Sequence, residues 1–81
     1  MRAPRDIDGD ELAAFLARFG YAVTWQAGSH MRLTTQRRGE HHVTIPRHRQ
    51  LKLRTLNSIL RDVSEHLGIT REELLRLLGD K

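Results

Sequence analysis

The chain has 81 residues, of which 38% are hydrophobic, and this length suffices for one small domain with a thin core. Cysteine is absent, which excludes disulfides, a thiolate zinc site and a thiol nucleophile. No stretch approaches the ~18–20 apolar residues of a membrane span. We therefore expect a soluble, intracellular protein that forms a single domain over residues 1–81, with residues 1–7 flexible.

The net charge of +4 is concentrated in the middle of the chain. Residues 30–54 hold seven basic residues against Glu40 alone, whereas the segments on either side each carry one more acid than base. Twelve of the fourteen cations are arginines, whose planar guanidinium groups suit phosphate better than a lysine ammonium does. The distribution favours a polyanionic partner, although a basic surface kept for solubility would give the same pattern.

Helical spacing gives way to strand alternation after the first fifth of the chain. Asp8 and Glu11 have the spacing of a capping box, and the apolar residues behind them recur at helical intervals until Gly20. Three short alternating runs follow and predict three strands. The connections at residues 27–29 and 36–40 are so short that the strands should form an antiparallel meander.

A basic loop over residues 47–54 leads into the helical second half. Thr55 is the predicted N-cap of a second helix that ends at Gly68, and Thr70 is the predicted cap of a short last helix. The fold class is therefore α+β, with a three-stranded antiparallel sheet in an α-β-β-β-α order. Both main helices should cover one face of the sheet, and a short extra helix should end the chain.

Strand parity predicts which face the helices cover. The covered face should hold Val23, Trp25, Met31, Leu33, Val43 and Ile45. The open face should hold Thr24, Gln26, His30, Arg32, Thr34, His42 and Thr44. A slip of one residue would exchange the faces. Tyr21 and Trp25 are possible platforms for base stacking, but their shared parity with Val23 favours the core.

The turn before the second predicted strand carries the most informative residues. Gly28 and Ser29 form a tight turn, and His30 begins the next strand on the predicted open face. Histidine is the usual general acid or base near neutral pH. Beside Arg32 it would suit metal-free RNA cleavage, in which a base deprotonates a ribose 2′-hydroxyl and cations stabilise the phosphoryl oxygens. The alternative is a histidine that only hydrogen-bonds within the hairpin.

Five short segments follow the order and spacing of a known family. They are LARFGY at residues 16–21, GSH at 28–30, VTIPRH at 43–48, TLNSIL at 55–60 and GIT at 68–70. The chain from residue 12 to residue 78 thus resembles the HicA toxins of type II toxin–antitoxin systems. The resemblance implies a fold like a double-stranded-RNA-binding domain and a cytoplasmic endoribonuclease that cleaves mRNA. It also implies a HicB-type antitoxin that occludes the active site, with His30 as the catalytic histidine and Gly28 as the glycine of its turn.

The remaining site predictions concern substrate contacts. The candidates are Gly28, Ser29, Arg32, Arg47, His48, Arg49 and Lys52, with Arg37 and Arg38 as a weaker pair. His42 shares the parity of the open face, so it could lie near His30 and protonate the leaving group. We expect no metal or other cofactor, because no histidine pair has helical spacing and cysteine is absent. The alternative functions are a non-catalytic RNA-binding module of the same fold and a domain that binds an acidic protein.

Overall fold

The computed structural model describes residues 7–79. The elements are α1 (Gly9–Ala17), β1 (Ala22–Ala27), β2 (His30–Thr35), β3 (His41–Pro46), α2 (Leu53–Leu67) and α3 (Arg71–Gly79). The strands form one antiparallel sheet in the order β1-β2-β3. The predicted α+β class, the order of its elements and the extra C-terminal helix are confirmed.

The first helix begins where its capping box predicts. The backbone N–H of Glu11 donates to the Asp8 carboxylate at 2.7 Å, and the N–H of Asp8 donates to the Glu11 carboxylate at 3.0 Å. These bonds satisfy two N–H groups that lack partners within the helix. Of the segment 1–7 predicted to be flexible, only Ile7 lies among the described residues. It is buried, and its carbonyl accepts a hydrogen bond from the N–H of Leu51.

The second helix begins three residues earlier than predicted. The predicted N-cap, Thr55, lies inside α2, and the observed N-cap is Lys52, whose side chain makes no capping hydrogen bond. Leu51 stands just before this cap and is buried. The packing of this loop onto the start of α1 therefore positions α2, in place of a polar cap. The helix ends at Gly68, which has a φ of 74°, as predicted.

The helices cover one face of the sheet, since α1 contacts β1 and β3 while α2 contacts β3. Residues of β2 and β3 alternate between buried and exposed, so their predicted parity is confirmed. The buried members are Met31, Leu33, Thr35, Val43 and Ile45. The last helix adds a row of leucines to the core. It begins after Thr70, whose hydroxyl accepts a hydrogen bond from the N–H of Glu73 at 3.0 Å, as the predicted cap requires.

The first strand departs from its predicted parity at a β-bulge. Val23 pairs with Leu33, but the next pair is Trp25 with Arg32, so Thr24 is an extra residue on β1. The assignment of Trp25 to the core was wrong, because its exposed fraction is 53%, and Val23 is also exposed, by 48%. Val23 does lie on the helix side, but the helices do not bury this edge strand.

Beyond the bulge, the two faces of β1 are exchanged relative to the prediction. Trp25 shares the open face with its partner Arg32. Gln26, predicted on the open face, pairs with the buried Met31 and lies on the helix side. The sequence carries no local signal for this bulge, because a strand with one extra residue still reads as an alternating run.

Tyr21 lies at the end of the sheet opposite the β1–β2 turn. Its exposed fraction is 2%, which confirms its predicted place in the core. Its hydroxyl lies 2.7 Å from Nδ1 of His41, whose Nε2 lies 3.3 Å from a carboxylate oxygen of Asp62. Burial, and to a lesser extent the negative charge of Asp62, raises the pKa of Tyr21 to about 12. The phenol is therefore neutral at physiological pH and can donate its proton to His41.

The buried position of Tyr21 predicts the pH at which its phenol ionises. We expect the phenol of Tyr21 to ionise near pH 12 in the folded protein and near pH ~10 after denaturation. Because folding raises this pKa, the associated stability is complete below pH ~10 and is lost as the pH rises towards 12. Tyr21 is the only tyrosine, so the ultraviolet absorbance of tyrosinate measures it alone, in buffer and in urea. Ionisation near pH ~10 in both solvents would contradict this account.

Candidate nucleic-acid interface

The open face of the sheet is made of three cross-strand rows, because paired residues on antiparallel strands share a face. The row nearest the β1–β2 turn is Ala27, His30 and Pro46; the next is Trp25, Arg32 and Thr44; the third is Ala22, Thr34 and His42. Thr24, the extra residue of the bulge, donates its hydroxyl to the carbonyl of Arg32 at 3.4 Å and so lies beside the second row.

His30 lies on the open face at the turn end of the sheet, as parity predicted. Its side chain is exposed, and no described residue forms a hydrogen bond or an ion pair with the imidazole. Arg32 follows two residues along the same strand and projects from the same face. The structure therefore brings together an accessible imidazole and a guanidinium group, which are the two functional groups that the sequence placed here.

The turn that presents His30 has two residues, because Ala27 and His30 form the last pair of the hairpin. Gly28 has a φ of 57° and Ser29 does not have a positive φ, and a positive φ at the first turn position alone is the mark of a type II′ turn. An added Cβ at Gly28 would meet no atom within 4 Å, so the backbone angle, and not space, requires glycine. The carbonyl of Ser29 accepts a hydrogen bond from the N–H of Arg47 at 2.6 Å, which ties this turn to the end of β3.

The basic loop after β3 is held against the first turn of α1. The N–H of Gly9 donates to the carbonyl of His48 at 2.9 Å. An added Cβ at Gly9 would lie 2.1 Å from the carbonyl oxygen of Pro46, so the close approach of helix and loop depends on glycine at this position. The loop therefore begins beside the turn of His30 and ends on the helix side of the sheet.

The guanidinium group of Arg47 is bound by a carboxylate. Its Nε and Nη2 donate to the two oxygens of Asp10 at 3.0 and 3.2 Å, and these bonds raise the pKa of Arg47. A shallow depression at this place is lined by Asp8, Asp10, Arg47, His48 and Arg49. Asp8 and Asp10 therefore lie among three of the predicted phosphate contacts. The carboxylate of Asp10 neutralises the charge of one of these, Arg47.

The weaker basic pair lies at the other end of the sheet from His30. Arg37 and Arg38 occupy the β2–β3 loop, where Nη1 of Arg37 donates to the carbonyl of Arg18 at 3.4 Å. Nε2 of His66 donates to the carbonyls of Arg37 and Gly39 at 2.9 and 3.1 Å, which fastens the loop to α2. The basic middle of the sequence is therefore divided between the two ends of the sheet.

His42 does not lie near His30, and the prediction that it could supply a nearby acid was wrong. His42 pairs with Thr34, four residues along β2 from His30, which is about 13 Å at the rise of a strand. Its Nδ1 lies 2.7 Å from the hydroxyl of Thr34, and its Nε2 lies 2.8 Å from the carboxylate of Glu40. The cross-strand partners of His30 are Ala27 and Pro46, which have no acid–base group.

Trp25 is the open-face residue that sequence reasoning assigned to the core. The guanidinium carbon of Arg32 lies 5.7 Å from the centroid of its indole ring, within the range of a cation–π contact. This neighbour follows from the register of the hairpin, because pairing outward from Ala27 and His30 places Trp25 opposite Arg32. The open face therefore presents an exposed indole ring as well as an imidazole and a guanidinium group.

Residues 7–79 contain no group of three or more His, Cys, Asp or Glu side chains that could hold a metal ion. None of the helices in this range is long and apolar enough to cross a membrane.

The fold and this surface define a class: a small α+β domain whose helices cover one side of the sheet and leave a histidine exposed on the other. A family model described as the HicA toxin of bacterial toxin–antitoxin systems matches residues 9–64. The match spans more than half of the chain, so the protein belongs to the HicA toxin family, as the sequence resemblance indicated. Comparisons with curated proteins and with solved structures gave no match.

Proposed function

We propose that this HicA-family toxin is an endoribonuclease that cleaves mRNA in the cytoplasm and thereby inhibits translation. The observation that carries the proposal is the exposed imidazole of His30 beside Arg32 on the uncovered face of the sheet. Histidine titrates near neutral pH, and a guanidinium group binds phosphoryl oxygens with good geometry. The two groups are thus suited to proton transfer and to charge stabilisation in one reaction.

The proposed reaction is an internal attack by the RNA on its own backbone. His30 removes the proton from a ribose 2′-hydroxyl, and the oxygen forms a bond to the adjacent phosphorus. The bond from phosphorus to the 5′ oxygen breaks, which leaves a 2′,3′-cyclic phosphate and a 5′-hydroxyl. Arg32 stabilises the negative charge on the phosphoryl oxygens. The leaving oxygen takes its proton from water, because the cross-strand neighbours of His30 have no acid–base group.

The path of the RNA backbone continues from the turn to the basic loop. The hydrogen bond between Ser29 and Arg47 brings the start of this loop beside the turn of His30. We assign further substrate contacts to Gly28, Ser29, Arg47, His48, Arg49 and Lys52. Arg47 can join them only when RNA phosphate competes with the carboxylate of Asp10 for its guanidinium group.

A HicB-type antitoxin is the proposed partner that silences the enzyme. The exposed open face and the basic loop would be complemented by acidic groups of such a protein. Coverage of this face would hide His30 and Arg32 from RNA at the same time. Inhibition would therefore require no change in the fold of the toxin.

A cleavage assay on the purified chain tests the proposed reaction. The substrate is a single-stranded RNA in buffer that contains EDTA, and its control is the same sequence with every 2′-hydroxyl methylated. We expect cleavage of the unmodified RNA alone, because the methylated strand lacks the nucleophile. Salt-sensitive binding of both strands without cleavage of either would instead establish the non-catalytic RNA-binding module.

The ion pair between Asp10 and Arg47 leads to a separate prediction about how RNA binding depends on salt concentration. The variant Asp10→Asn releases the guanidinium of Arg47 for phosphate, so the binding constant should fall more steeply with salt. We expect the slope of log K against log salt to steepen by roughly 0.7, the value for one added contact to a single strand. The control Glu65→Gln removes the same charge from an exposed position of α2. Equal slopes for Asp10→Asn and the parent chain would contradict the competition.

A further inference from the structure

Trp25 is the only exposed Phe, Tyr or Trp side chain in residues 7–79. Half of its surface, 53%, is accessible, whereas Tyr21 and Phe15 are buried and Phe19 is partly buried against the core. The guanidinium carbon of Arg32 lies 5.7 Å from the centroid of the ring, and about half of the indole surface remains accessible to a further partner.

The hairpin register brings the ring to the open face. Ala27 pairs with His30 across the two-residue turn, so Trp25 pairs with Arg32. The β-bulge at Thr24 then returns Val23 to the helix side, which leaves Trp25 as the one large apolar residue of β1 on the open face. The hydroxyl of Thr24 fixes this arrangement through contacts with the carbonyl of Arg32 and with the hydroxyl of Thr34, at 3.4 and 2.8 Å. Bulges commonly re-aim a side chain next to an active site.

The surroundings of the ring are suited to a nucleotide. Arg32 lies between Trp25 on the neighbouring strand and His30 on its own strand, which is about 7 Å away at the rise of a strand. The two rows that contain these residues hold no acidic side chain. Two carboxylates near this face are already paired with cations or histidine: Glu40 with His42 in the third row, and Asp10 with Arg47. The indole ring of Trp25, the guanidinium group of Arg32 and the imidazole of His30 therefore lie in a row on a surface that favours an anion.

We propose that Trp25 is a stacking platform for an unpaired base of the RNA substrate, and that Arg32 binds the adjoining phosphate. This inference rests on the proposed ribonuclease function and specifies its substrate as single-stranded at the cleavage position. A base within a duplex is stacked on its neighbours and cannot lie on the indole. Stacking on an aromatic ring tolerates any base, so the platform sets strandedness and not sequence.

The experiment uses the intrinsic fluorescence of Trp25, the only tryptophan of the chain. The protein is the His30→Ala variant, which keeps the RNA intact if the proposed function holds. The probe is a short oligoadenylate, and its control is an abasic ribose-phosphate strand of equal length and charge. We expect the oligoadenylate to quench the emission and the abasic strand to leave it nearly unchanged, because only the former has bases to stack.

A matched pair of substitutions measures the contribution of the ring. The change Trp25→Ala should weaken oligoadenylate binding roughly 5- to 100-fold, as measured by the anisotropy of a labelled strand. Val23→Ala is the control, because Val23 is exposed on the same strand but on the helix side. It should leave the affinity unchanged, and circular dichroism should show that both variants are folded.

The possible outcomes separate this inference from the function on which it rests. Unchanged emission with oligoadenylate, or equal affinities for the Trp25→Ala variant and its parent, would overturn the stacking platform and leave Trp25 for contact with a protein. Cleavage by the wild-type chain would uphold the ribonuclease function even then. Base-dependent quenching without cleavage by the wild-type chain would support the platform and refute the ribonuclease.

Discussion

Replacement of His30 by alanine is expected to reduce the rate of RNA cleavage by about 10²–10⁴-fold, the usual contribution of general acid–base catalysis. The fold should be retained, because the side chain is exposed and the described residues form no hydrogen bond with it. Exposed substitutions of this kind change the free energy of unfolding by about 0.5 kcal/mol or less. Initial rates in EDTA, together with growth after induced expression, provide the measurement.

The matched control for this experiment is His42→Ala. His42 lies on the same face but in the third row, where it is bound to Glu40 and Thr34. We expect this variant to cleave RNA at nearly the rate of the wild-type chain. Undiminished cleavage by His30→Ala would refute the assignment of the base. An equal loss in both variants would show that the open face acts through its charge and not through one imidazole.

Replacement of Gly9 by alanine is expected to destabilise the protein by about 1–3 kcal/mol, as other overpacked sites are. Alanine in an ordinary helical position stabilises relative to glycine by about 0.5–1 kcal/mol, so the expected sign is reversed here. The reason is that the new Cβ would lie 2.1 Å from the carbonyl oxygen of Pro46 and 3.0 Å from Cα of Arg47. The helix and the basic loop must separate to make room.

Urea unfolding of the Gly9→Ala variant measures this effect, with Ser58→Ala at an exposed position of α2 as the control. The control should unfold at nearly the same urea concentration as the wild-type chain. The displaced loop should also weaken RNA binding, because Arg47, His48 and Arg49 belong to it. A Gly9→Ala variant that is more stable than the wild-type chain would show that helix and loop are not in close contact.

Features that depend on neighbouring residues could be predicted from the sequence. The capping box of Asp8 and Glu11, the alternation of β2 and β3 and the position of His30 on the open face each follow from spacing within a few residues. The glycine of the turn before His30 was also predictable, because a two-residue hairpin turn requires a positive φ. These local rules placed the candidate base correctly.

Features that depend on distant residues could not be predicted. Arg47 and Asp10 are far apart in the chain, and their pairing exists only because the loop packs on α1. The start of α2 before Thr55 has the same origin, since the loop and not a polar cap positions the helix. The extra residue Thr24 in β1 has no local signal either, and it places Val23 and Trp25 on opposite faces although they share the same parity.

The most direct test of the whole account is a map of the RNA contact surface by nuclear magnetic resonance. The amide and indole N–H signals of the His30→Ala variant are recorded during titration with a single-stranded RNA. We predict that the largest shifts fall on β1 and β2 around Trp25 and Arg32 and on the basic loop after β3. Shifts confined to α2, α3 or the loop that holds Arg37 and Arg38 would contradict the assignment of the open face as the site of RNA cleavage.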